Sequence, residues 1–206
     1  MVMNTQLQPH DLLWGMTPAM LPQNAPEWVA HELSREVPVV IRRASTRPAV
    51  IAVGIRGKCR SLRYATEMPV QAITQHIKPE ALVKTDLAGF PHLQQSLELV
   101  GQVMESIGLP WGYTGSTGFE LATGLRTVTE QSDIDLLIRA ECLMEKEQAR
   151  TILQQLDALK LKIDVQLQTP SGGIALREWA QAAGSILLKC QNVAVLVLNP
   201  WNLEGA

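Results

Sequence analysis

Between residues 115 and 138 the chain reads GSTGFELATGLRTVTEQSDIDLLI, and the two ends of this stretch decide the fold. At its far end, Asp133-Ile134-Asp135-Leu136-Leu137-Ile138 is apolar enough for a half-buried strand. Side chains alternate across a strand, so Asp133 and Asp135 leave by one face. Two bare carboxylates side by side repel, and the cost falls when protons or cations lie between them. At the near end, Gly115-Ser116 belongs to a Gly/Thr/Ser-rich passage from Gly112 to Gly118, whose backbone N–H groups can meet phosphate oxygens.

Outward from this stretch the pattern alternates. Leu93, Leu97, Val100, Met104 and Ile107 recur at threes and fours and predict a helix over Leu93 to Ile107, closed by Gly108 and Pro110. A second helix is expected from Met144 to Leu159, with Ile152, Leu153, Leu156 and Leu159 inward. Leu161 to Gln168 is a period-two strand that places Asp164 in the same outward register as Lys162 and Gln166. Gly172-Gly173 precede a short helix, Ala175 to Ala182. Ser185 to Lys189 and Val193 to Leu198 are short strands or a hairpin.

The N-terminal part differs. Val37 to Ile41 and Ala49 to Val53 are β-branched and strand-length, with a turn at Ser45 to Pro48, so a hairpin is expected. From Val37 to Thr66 there is no acid, and Arg42, Arg43, Arg47, Arg56, Lys58, Arg60 and Arg63 supply seven of the 18 basic residues. A boundary falls where Pro79, Gly89 and Pro91 punctuate the chain. The expectation is an α+β protein: a β-rich basic domain over 1–78 and a catalytic domain with mixed sheet and helices over 79–206.

At 206 residues, 46% apolar and 18% charged, the chain can bury a core. Its 18 basic and 20 acidic residues nearly balance, which argues against coating of nucleic acid or of an anionic membrane. No apolar run approaches a membrane span, the longest being Val193 to Leu198. Pro9, His10 and Asp11 fall where a signal peptide would need an apolar core. Cys59, Cys142 and Cys190 are too far apart for a zinc motif, and read as buried small apolar residues in a reducing cytoplasmic compartment. Trp111 and Trp179 read as core, and His10 and Trp14 as packing residues.

The order of helix, Gly-Ser, Asp-x-Asp strand, helix and Asp-bearing strand resembles the nucleotidyltransferase superfamily that includes DNA polymerase beta. Sixteen residues, Thr117 to Ser132, separate Ser116 from Asp133, a longer spacer than most of that superfamily uses. Further blocks narrow the resemblance. They are His10-Asp11-Leu12-Leu13-Trp14, the Val37 to Arg43 strand, Val53-Gly54-Ile55-Arg56-Gly57 with Arg60-Ser61 following, and Gly115 to Leu125 leading into Ser132 to Leu137. With them the chain resembles the phosphoribosyl-dephospho-CoA transferases of malonate decarboxylase, also called its holo-acyl-carrier-protein synthases.

That resemblance implies a substrate, 2′-(5″-triphosphoribosyl)-3′-dephospho-CoA, and a partner, the acyl-carrier subunit. A carrier serine attacks the α-phosphorus and diphosphate leaves. It also implies Asp133, Asp135 and Asp164 as ligands of Mg²⁺, two ions with Mn²⁺ as a substitute, and Asp164 as acceptor of the serine proton. Gly115 and Ser116 would cradle the departing phosphates; of the basic residues over Val37 to Thr66, Arg56 and Arg60 lie in a resembling block and would meet the triphosphate, or the same patch would dock an acidic carrier, two uses that the sequence does not separate. Physically, two metals about 3.5–4 Å apart can clamp the attacking and leaving oxygens of an in-line displacement. The plainer readings are a solvated strand end for the acids, a simple turn for Ser116 and a solvated hairpin face for the cations. Two other functions keep the same motifs: a nucleotidyltransferase using ATP or CTP, and a non-catalytic nucleotide-binding module.

Overall fold

The computed structural model describes residues 7–58 and 62–202. The chain divides into two compact units, Met1–Lys78 and Pro79–Ala206.

The first unit is built on a five-stranded antiparallel sheet in the order β4-β3-β2-β1-β5. Its strands are β1 (Leu12–Trp14), β2 (Val39–Ile41), β3 (Val50–Arg56), β4 (Arg63–Pro69) and β5 (Gln75–Ile77). The predicted hairpin is the β2–β3 pair, with Val40 opposite Gly54. Alternating apolar residues turn one face inward, so that Val39, Ile41, Val53 and Ile55 pack with Val29 and Leu33 of helix α1 (Glu27–Leu33). Asp11 is fully buried, and its carboxylate accepts from His76 Nε2 at 2.7 Å and from the Gln8 N–H at 3.1 Å. A buried carboxylate is tolerable only with such donors. His10 accepts from Arg43 Nη1 at 3.3 Å, which agrees with its reading as a packing residue.

The second unit contains a six-stranded mixed sheet in the order β11-β10-β9-β8-β7-β6. In chain order its elements are α2 (Pro91–Ser106), β6 (Trp111–Tyr113), α3 (Gly115–Thr123), β7 (Ile134–Arg139), α4 (Lys146–Ala158), β8 (Ile163–Thr169), β9 (Gly172–Ala175), α5 (Leu176–Gln181), β10 (Ile186–Lys189) and β11 (Ala194–Val197). Among the described residues, β7–β8 is the one parallel pair, and α4 makes the crossover between its strands. Helix α4 buries Ala149, Ile152 and Leu156, and α2 buries Leu93, Leu97, Val100 and Met104, each a stripe at helical spacing. Leu153 and Leu159, expected inward, are half-buried. Arg139, 7% exposed, donates through Nε to Glu80 at 2.6 Å and ties β7 to the 3-10 turn Pro79–Lys84.

The chain is thus α+β with mixed sheet and helices, as expected, but three details differ. The Gly112 to Gly118 passage is not a plain turn: it holds the end of β6 and the start of α3. Residues Gly115–Thr123 of the spacer are helical, and Thr117 to Leu121 are all buried. A helix buried on every side shows no apolar stripe, and Gly115, Thr117 and Gly118 are weak helix formers. Strand β9 lies where only a glycine pair was expected. Finally, Cys142 is exposed and Cys190 half-buried, so neither is the core residue expected; Cys59 lies outside the described residues. Trp111 and Trp179 are buried, at 7% and 5% exposure.

Candidate active site

The parallel pairing of β7 and β8 sets the site. Its register places Asp135 directly opposite Asp164, with Ile134 opposite Ile163 and Leu137 opposite Gln166. Residues in register on neighbouring strands share a face, and strands lie about 4.8 Å apart, so the two carboxylates leave the sheet side by side. Parallel strands also run the same way, so both acids stand at the same end of the sheet. Asp133 stands one residue before β7 and is half-buried, like Asp135; Asp164 is exposed.

On the other side of β7 is β6, with Tyr113 opposite Leu136. The Thr114 N–H donates to the Asp135 carbonyl at 2.9 Å and carries this pairing one residue further. Helix α3 starts at once, at Gly115, whose φ of +58° belongs to the left-handed region that favours glycine. The space where a Gly115 side chain would stand is filled by the Asp135 carboxylate. Any Cβ there would collide with it. A carboxylate at the first turn of a helix is favoured by the partial positive charge of the helix start. The Gly-Ser segment and the Asp-x-Asp strand, sixteen residues apart in the chain, therefore meet in space.

Ser116 is half-buried on the first turn, and its carbonyl accepts from Thr127 Oγ1 at 3.0 Å. The segment after α3 returns along the helix. Glu120, 1% exposed, accepts the N–H groups of Thr127 and Val128, each at 2.7 Å, and is met by His92 Nε2 at 2.6 Å. The sequence reading passed over Glu120, His92 and Thr127. One signal was there: a lone acid inside the apolar run Phe119-Glu120-Leu121-Ala122. An acid that faces a core must bring its own donors.

Two features of charge surround this end of the sheet. Arg177 on α5 holds Asp157 at 3.1 and 2.5 Å, which keeps the Asp157 carboxyl below its ordinary range. The same hydrogen bonding to Asp157 raises the Arg177 guanidinium, and the nearby Asp164 charge adds to it. Tyr113 is pushed above the usual phenol range, first by burial and then by Glu105, and its hydroxyl donates to the Leu97 carbonyl at 3.1 Å.

The structure thus brings Gly115, Asp135 and Asp164 together, with Ser116 on the first turn of α3 and Asp133 one residue before β7. Among the described residues no group of three or more His, Cys, Asp or Glu side chains is arranged to hold a metal ion. Arg56 ends β3 in the first unit, opposite Arg63 of β4. Arg60 lies outside the described residues. Arg126 is exposed on the segment after α3, and Lys189 ends β10, exposed, opposite Gly173. No helix of the described residues is long and apolar enough to cross a membrane.

Comparison with known proteins covers nearly the whole chain. Residues 81–200 match the model of the phosphoribosyl-dephospho-CoA transferase MdcG C-terminal domain, and residues 8–79 match that of the N-terminal domain. Relatives named phosphoribosyl-dephospho-CoA transferase include one from Pseudomonas putida (strain W619), 47% identical over 95% of this chain and 96% of its own. Another, from Pseudomonas fluorescens (strain Pf0-1), is 44% identical over 98% of this chain and 97% of its own. One from Azotobacter vinelandii (strain DJ) is 43% identical over 97% and 96%. No solved structure matches. Both units are matched in turn, and the relatives run the length of the chain; it belongs to the phosphoribosyl-dephospho-CoA transferase family, a family of transferase enzymes.

Proposed function

We propose that this chain transfers the phosphoribosyl-dephospho-CoA group of 2′-(5″-triphosphoribosyl)-3′-dephospho-CoA to a serine of the malonate decarboxylase acyl-carrier subunit, in a nucleotidyltransferase-like site. The serine oxygen forms a bond to the α-phosphorus, the bond from that phosphorus to the bridging oxygen breaks, and diphosphate leaves. The family supports the transferred group. The observation that carries the chemistry is the meeting of the α3 start with the Asp135 carboxylate, and of Asp135 with Asp164 across β7 and β8.

Each residue has a task in this reading. The first backbone N–H groups of α3, at Gly115 and Ser116, receive the oxygens of the departing phosphates. Gly115 has no side chain, so the Asp135 carboxylate can stand against the α3 start beside those N–H groups. Asp164 is exposed, and takes the serine proton directly or through a water. A serine hydroxyl is a poor nucleophile until that proton has somewhere to go.

The donor set fits Mg²⁺. A phosphate at the α3 start meets an aspartate already there, and two anions at one place call for a cation between them. Mg²⁺ suits one or two carboxylates completed by substrate phosphates and water, not a closed protein cage. In our reading Asp135 and Asp164, paired across the strands, would hold it with the substrate phosphates as two ions, Mn²⁺ able to substitute, and Asp133 would join them on substrate binding, since the three acids do not form a ready-made cluster. When bound, it neutralises phosphate charge and makes a coordinated hydroxyl more acidic.

The test is a mass measurement of the carrier subunit after incubation with the protein, Mg²⁺ and the triphosphoribosyl compound. A carrier heavier by the phosphoribosyl-dephospho-CoA group, together with free diphosphate, is expected. Asp135→Asn should abolish the gain in protein that still folds. Labelling by ATP or CTP in place of the triphosphoribosyl compound, or full turnover by Asp135→Asn, would overturn the reading.

A further inference from the structure

Glu120 lies within α3 yet bonds outside it. Of its two oxygens, Oε1 meets His92 at the start of α2 at 2.6 Å, and Oε2 accepts two successive backbone N–H groups, those of Thr127 and Val128, both at 2.7 Å. Bonds of this length to an ionised acceptor are the strong kind, and at 1% exposure they meet little competition from water.

The segment so gripped runs from Gly124 to Asp133 without regular structure, apart from a turn closed by the Ser132 N–H on the Thr129 carbonyl at 2.9 Å and by the Thr129 N–H on Ser132 Oγ at 3.0 Å. It begins at the C-terminus of α3 and ends at the first acid of the site. From the gripped part, Thr127 Oγ1 reaches the carbonyl of Ser116 at 3.0 Å. One buried carboxylate therefore fixes a strap that holds the phosphate turn at one point and delivers Asp133 at another. Besides the Thr127–Ser116 bond, the Thr129–Ser132 turn and the buried Val128, it is the Glu120 carboxylate that ties these ten residues to α3.

We propose that Glu120 is a positioning residue for the transfer: it locks the 124–133 strap so that Ser116 and Asp133 are held in register with Asp135. It touches no substrate. The inference rests on the reading of Ser116 and Asp133 as site residues given above.

The test pairs a local readout with a kinetic one in the full chain. Amide hydrogen exchange reports the Thr127 and Val128 N–H groups without substrate. Both amides are expected to be protected in the wild-type protein. In Glu120→Leu both N–H groups lose their shared acceptor, so protection should fall at both positions in a protein assayed well below its lowered melting temperature. Carrier labelling should then slow about a hundredfold, the scale of a misplacement of roughly 1 Å at a reacting centre, with KM for the triphosphoribosyl compound little changed. If Glu120→Leu does not fold, Thr127→Val carries the test. It removes one neutral hydrogen bond to Ser116, and the expected slowing is roughly fivefold. Released amides with wild-type turnover would overturn the proposal, as would amides that stay protected in Glu120→Leu. A fully active Asp135→Asn would remove the catalytic reading instead, and the amide result would stand apart from it.

Discussion

At the scale of the residue, Gly115 carries two constraints. Its φ of +58° disfavours any side chain, at about 1–2 kcal/mol, and its missing Cβ is the space that Asp135 occupies. The first constraint concerns stability alone, and the second concerns where an acid stands. Gly115→Ala should therefore lower stability by at least about 1–2 kcal/mol by denaturant melting, and lose carrier labelling almost wholly, because Asp135 must move. Comparable activity in a folded Gly115→Ala protein would show that the place of Asp135 does not matter. The Arg177–Asp157 pair is a contrast. Its partners are each 51% exposed, so water screens it and it contributes little to stability, although Asp164 lies near enough to be felt by Arg177.

At the scale of the element, β6 and α2 meet through Tyr113. Its hydroxyl, buried and bonded to Leu97, titrates above the ordinary phenol range in the folded chain. The folded value is raised above the unfolded one, so the neutral phenol's contribution is complete below about pH 10 and declines as pH rises beyond it. Tyr113→Phe should cost about 1 kcal/mol at neutral pH and flatten the loss of stability above about pH 10, read from melts across alkaline pH. An unchanged alkaline profile would mean that another group sets it.

Elements with a clean period were legible from residues alone. Helices α2 and α4 show their buried stripes, and strand β8 shows an alternation that by itself puts Asp164 in the outward register. Helix α3 and strands β6 and β9 were not legible, for physical reasons. Helix α3 is enclosed on all sides and starts on a positive-φ glycine. Strand β6 is three residues long with Gly112 in the middle, where a Cβ would strike the Pro79 backbone. Strand β9 starts at Gly172, at a φ of +154°. In each case tertiary packing sets the conformation and local preference does not. The acids were legible because charge repulsion makes an Asp-x-Asp strand conspicuous. Glu120 was not, because its partners are backbone N–H groups that no residue code displays.

At the scale of the whole molecule, each unit has its own sheet and its own buried residues, and separate family models match 8–79 and 81–200. A chain of residues 79–206 made alone should therefore melt cooperatively by circular dichroism, with dispersed amide resonances. A broad, non-cooperative melt would show that its core is incomplete without the first unit. The first unit holds Arg56 facing Arg63 across two strands, a like-charged pair that ordinarily costs stability.

The parallel step between β7 and β8 has a temporal consequence. An antiparallel hairpin such as β3–β4 can zip as soon as its second strand exists, but Asp164 reaches Asp135 only after α4 has been made and the chain has crossed back over the sheet. During synthesis the glycine turn and the first two acids are thus made well before the third, and a chain that ends before Ile163 lacks the strand that would set Asp164 beside Asp135.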